Sequence, residues 1–177
     1  MPENSILVFA AFAAQTVGAA VIAVLLFGFL RQYRKSYLAH LTASWAALCL
    51  YQLGEAAVIA LAKWWRLPPS HPALMAISVV SGVAGYLQIA WLLFGVYELL
   101  RRRPVRLRVA RQIAVVLAVA GVVTALFLAE PNDSAVRAIV AAAAFLVAGS
   151  GLWKARKRRG GIAFAMASVS FIISGAT

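Results

Sequence analysis

The chain is poor in charge. Asp, Glu, Lys and Arg together make up 12% of its 177 residues, and five of them are acidic; ordinary soluble domains carry about 25%. Cys49 is the only cysteine, so no intrachain disulfide can form and the redox compartment is not encoded; it reads as a small buried side chain. The two histidines, His40 and His71, fall on opposite sides of an apolar run. That excludes bis-histidine haem ligation, and no Cys/His metal spacing exists. No lysine lies deep in an apolar run, so a retinal-type Schiff base has no candidate. Serines are frequent, but no Ser-His-acid set can be placed on one side. "RRGG" at 158–161 reads as a turn before a helix rather than a phosphate loop. No catalytic residue, metal ligand or cofactor is expected in this chain.

What the chain has instead is hydrocarbon. Hydrophobic residues reach 64%, against about 45–50% in soluble domains, and they gather into runs. About 20 apolar residues in a helix cross the hydrocarbon core. Such runs cover 6–30, broken only by Gln15 and Thr16; 37–62, with Glu55; 73–100, with Glu98 near its end; 112–129; and 135–153, with Arg137 near its start. A last run, 161–177, stops at the low end of a spanning length with no polar flank, basic stop or aromatic anchor. The expected fold is an all-α, polytopic transmembrane bundle forming one membrane-embedded domain over 1–177, with five full spans and a truncated sixth. It reads as a piece of a longer protein. The first run is a retained helix, because Met1-Pro-Glu-Asn carries no basic residue and the run outlasts a signal h-region.

The formal net charge of +12 is not spread evenly. Arg31, Arg34 and Lys35 follow the first run. Arg101, Arg102, Arg103, Arg106, Arg108 and Arg111 follow the third, and Lys154, Arg156, Lys157, Arg158 and Arg159 the fifth. The alternate connections hold Lys63 and Arg66, or Arg137 beside Glu130 and Asp133. The positive-inside rule puts the first set in cytoplasmic loops and the N-terminus outside. Basic clusters at a membrane surface attract anionic lipid headgroups, so the expected partners are the bilayer and those headgroups, and no nucleic acid is needed. Trp64, Trp65 and Trp153 are interface anchors. "WRLPPSHP" and "EPNDS" carry turn chemistry, and Ser134 is a candidate N-cap.

Steps of three or four residues place His40, Ser44, Tyr51, Gln52 and Glu55 near one stripe of the second helix, and Ser78, Ser81, Gly85 and Gln88 near one stripe of the third. By depth, Glu55 lies level with Ser81 and Gln52 level with Gln15. A polar seam of Gln15, Gln52, Glu55, Ser81 and Gln88 is therefore expected across three helices. An ionised acid at mid-membrane costs about 2.5–3.5 kcal/mol on insertion scales. Glu55 is read either as a ligand contact or proton-sensitive group, or as a protonated hydrogen-bonding link between helices. Gly82/Gly85 and Gly149/Gly151 are expected to allow close helix approach.

"RQYRKSYLAHLTASWAALCLYQLGEA" at 31–56 and "VAGYLQIAWLLFGVYEL" at 83–99, followed by "RRRP", resemble the first loop, second helix and third helix of multi-span input regions in bacterial sensor histidine kinases. Similar regions precede diguanylate cyclases. The resemblance covers roughly residues 30–105. It implies a membrane sensor of the two-component type in the bacterial inner membrane, working as a homodimer through the longer protein. ATP and Mg would then belong to a kinase part beyond residue 177. No phospho-accepting His-Glu motif, ATP box or GGDEF loop is present, and the membrane-embedded His40 cannot serve as a phospho-acceptor. A small stand-alone proton-coupled carrier, with Glu55 as the coupling residue, is the alternative from another class; a scaffold without stimulus is a third.

Overall fold

The computed structural model describes residues 3–127, 139–150 and 153, and all secondary structure among them is helical. Four long helices follow one another: α1 (Glu3–Tyr33), α2 (Ser36–Lys63), α3 (Pro72–Arg101) and α4 (Leu107–Phe127). A shorter apolar helix covers Ile139–Ser150. In hydrocarbon every backbone N–H and C=O needs an internal partner, and a helix supplies it within one segment. The breaks fall where proline or turn chemistry interrupts that pattern. Pro68 and Pro69 lie between α2 and α3, Pro72 occupies the first turn of α3, and Pro104 lies between α3 and α4.

α1 packs on α2, α2 on α3 and α3 on α4. α3 is the central helix. In its most apolar window 67% of residues are buried, against 6% in α1, 17% in α2 and 6% in α4. Ala148 of the Ile139–Ser150 helix joins Leu92 and Val96 of α3 in a small core closed by Leu41, Leu99, Leu100 and Phe145. The outer faces of α1 and α4 expose Val17, Val24, Leu25, Val116 and Val119. In a bilayer these are lipid-facing surfaces, and their exposure carries no penalty there.

Small residues let the helices meet. A Cβ on Gly54 would lie 2.6 Å from Ser81 Cβ, and one on Gly121 would lie 2.8 Å from the Val83 Cα. On Gly95 it would meet Leu41 Cδ2 at 2.8 Å. Of the glycines expected at contacts, Gly82 meets the Gly121 carbonyl at 3.1 Å and Gly85 faces the Tyr51 ring at 3.4 Å. Gly151 lies outside the described residues.

Among the described residues four helices are long and apolar enough to cross a membrane. The expected fifth span, 135–153, is described as helix over Ile139–Ser150 and at Trp153, a described length too short to cross by itself. The sixth, 161–177, and the cluster Lys154, Arg156, Lys157, Arg158 and Arg159 lie outside the described residues. One boundary needs correction: α4 begins at Leu107, five residues before the expected start at 112. Arg108 and Arg111 are therefore on the helix, and Arg31 and Arg101 occupy last turns rather than loops. Arginine stems are long enough to hold a helical backbone in place while the guanidinium reaches the interface.

Candidate functional site

Polar side chains inside the bundle make bonds from helix to helix, at four levels. Farthest from the basic connections, Gly54 brings α2 against Ser81 of α3. The Ser81 hydroxyl lies 3.1 Å from Glu55 Oε1 and 3.2 Å from the Ser78 carbonyl. A serine has one proton to donate, so these two acceptors compete for it. With Glu55 ionised, Ser81 donates across to α2. With Glu55 protonated, the acid can donate to the Ser81 oxygen while the serine proton turns to its own helix. The donor count and these two distances therefore allow two bonded forms of the α2–α3 link, one for each protonation state of Glu55.

About one turn away on α2, Gln52 Nε2 donates to Gln15 Oε1 of α1 at 3.0 Å. Gln52 is 8% exposed, and its own Oε1 is buried without a hydrogen-bond partner. Gln15 sits on an exposed face of α1. Gln88, two turns along α3 from Ser81, belongs to a different contact, where its backbone carbonyl accepts from the buried Ser44 hydroxyl of α2 at 2.9 Å. The structure brings Gln15 to Gln52 and Glu55 to Ser81, and leaves Gln88 a level apart.

The fourth level lies at the basic end and was not singled out from sequence. Glu98, 5% exposed, accepts from the Ser36 hydroxyl at 2.6 Å through Oε2 and from the Val105 N–H at 2.7 Å through Oε1. His40 Nε2 lies 3.4 Å from Oε1, with its ring edge-on to Phe94. One carboxylate therefore joins the start of α2, the end of α3 and the connection to α4. A signal was available: an acid closing an apolar run, level with the hydroxyl and imidazole that open the antiparallel run before it.

His71, in the connection between α2 and α3, is the N-cap of α3, and its Nδ1 accepts from the Ala73 N–H at 3.2 Å. Trp64 packs against Phe9 of α1, ring centroids 4.7 Å apart. Among the described residues no group of His, Cys, Asp and Glu could hold a metal ion.

Among the described residues two apolar clefts open beside these pairs, and Glu55 is not in the lining of either. One, about 480 Å³, lies between α2 and α3, lined by Ala43, Leu50, Val83 and Trp91 among others. The other, about 1020 Å³, lies between α3, α4 and the Ile139–Ser150 helix, near Arg103 and Arg106. No family model, curated protein or solved structure matches this chain.

Proposed function

We propose that this chain is the membrane-embedded input region of a bacterial signalling protein in the inner membrane, with a histidine kinase as the output. Its N-terminus is outside and its basic connections are in the cytoplasm. The observation that carries this reading is the Glu55–Ser81–Ser78 arrangement at the close contact of Gly54 with α3. A proton or ligand that favours one bonded form over the other changes the relative stability of two packings of α2 on α3. Such differential interaction is what a switch requires. The Glu98 cluster offers a route onward, because it ties α2 and α3 to the cytoplasmic connection that leads into α4. The sequence resemblance over residues 30–105 supports the kinase assignment.

The proton-coupled carrier is the second reading, since Glu55 suits either role. Against it stands the direct bonding of Gln52 to Gln15 and of Ser81 to Glu55, and the apolar walls of the two described clefts. Three experiments separate the readings. The coding sequence after Thr177 should continue into a His-Glu dimerisation helix and ATP boxes; a stop codon there would sink the sensor reading. In lipid nanodiscs, a spin-label distance between α2 and α3 should respond to pH in the wild-type chain and lose that response in Glu55→Gln. Proton flux driven by this chain alone in liposomes would favour the carrier.

A further inference from the structure

The larger cleft has a polarity matched to one half of a bilayer. Its walls are Leu93, Phe94 and Tyr97 of α3, Val109, Ile113 and Leu117 of α4, and the small face of Val147 and Ala148. At one end stand Arg103 and Arg106, both exposed, on either side of Pro104 and Val105. Among the described residues no acidic one lines it. From Val109 to Leu117 the cleft runs about 12 Å along α4 at ~1.5 Å per residue, which fits inside one leaflet of a ~30 Å hydrocarbon core. The arginines sit at the end of α3 and the start of α4, where headgroup phosphates lie if the helices span.

We propose that this cleft binds one anionic phospholipid, with its phosphate on Arg103 and Arg106 and an acyl chain along Ile113 and Leu117. The charge complementarity is one-sided, two guanidiniums with no carboxylate among the lining residues. Arginine also binds phosphate in bidentate geometry. The site is partly preorganised. Val105, between the two arginines, is held by the Glu98 carboxylate at 2.7 Å, so less of the connection has to be ordered on binding. The proposal needs only that the helices span a bilayer, and it stands or falls independently of any output domain.

The test is native mass spectrometry of the whole chain released from nanodiscs that contain phosphatidylglycerol or phosphatidylcholine with the same acyl chains. One phosphatidylglycerol per chain is expected to persist, in preference to phosphatidylcholine. The pair R103A/R106A should weaken it about thirtyfold, from two headgroup charges lost at the interface. The pair R31A/R34A, at the other basic connection, should leave it unchanged. I113W keeps both arginines, fills the cleft and should also release the lipid. Glycerol phosphate should not compete, because it has no acyl chain. A photo-crosslinker at position 113 should label lipid. Equal losses from both arginine pairs would reduce the effect to diffuse surface charge and overturn the site. Competition by glycerol phosphate would make it a phosphate site without a lipid seat. A crosslink to residues 161–177 would make the cleft a packing seat for the chain's own last apolar run, which also overturns the proposal.

Discussion

Glu98 is where single-residue chemistry has the widest reach. Its carboxylate, on α3, meets a hydroxyl and an imidazole from α2 and a backbone N–H from the α3–α4 connection. Glu98→Ala leaves the Ser36 hydroxyl and the Val105 N–H without their acceptor. Both bonds are part-buried and Ser36 is exposed, so each falls at the low end of the about 1–3 kcal/mol cost of an unmade bond, and a loss of roughly 2 kcal/mol is expected in unfolding of the purified chain in detergent micelles. Glu98→Gln keeps one acceptor oxygen and should lose about 1 kcal/mol. Equal, negligible effects from both would show that the cluster contributes nothing to holding the bundle. At Gln15 and Gln52 the expectation is smaller. Hydrogen bonds between membrane helices average about 0.6 kcal/mol in double-mutant cycles, so a Gln15→Ala/Gln52→Ala cycle should give a coupling of that size. A null coupling would mean that the pair is not formed in the bilayer.

At the scale of helices, contact is governed by glycines, and they divide sharply. Gly54 and Gly121 have no room for a methyl group without moving the facing helix, whereas Gly18 and Gly28 have nothing within 4 Å. Gly121→Ala drives a Cβ into the Val83 backbone, and overpacking of this kind costs about 1–3 kcal/mol. Gly18→Ala meets open space and gains helix propensity, so it should stabilise by up to about 1 kcal/mol. Thermal denaturation of the two variants side by side checks the contrast, and the same sign for both would refute it. The start of α3 offers a separate check. His71→Leu removes the cap acceptor of the Ala73 N–H and should cost about 1 kcal/mol, while His71→Asn, itself a good cap, should cost little.

At the scale of the molecule, the Glu98–Ser36 bond places the α1–α2 and α3–α4 connections at the same end of the bundle. The basic residues Arg34, Lys35, Arg102, Arg103 and Arg106 therefore share one side. With the proposed orientation that side is the cytoplasm. In a Cys49→Ala background, a cysteine at position 35 or 103 should resist a membrane-impermeant thiol reagent in intact cells and react after lysis. A cysteine at position 69, in the opposite connection, should react at once. The reverse pattern would invert the orientation while leaving the fold intact.

The membrane class, the first three helices and their breaks were decided by sequence alone, because run length and proline placement act locally and hydrocarbon leaves the backbone one solution. Depth along an antiparallel pair is also a local count, so Glu55 could be set level with Ser81, and Gln52 with Gln15, before any contact was known. The start of α4 was not legible, since arginines look like loop residues in hydropathy although their stems allow a helix to continue beneath them. Rotation about each helix axis was not legible either. α1 and α3 are both apolar all round, yet α3 is central and α1 is peripheral. In lipid, an apolar face costs the same whether it meets a tail or another helix, so apolar composition does not choose the neighbour. Close approach at Gly54, Gly95 and Gly121, and convergence of Ser36, His40 and Val105 on Glu98, made that choice. Those are relations between surfaces distant in the chain, and only the tertiary structure holds them.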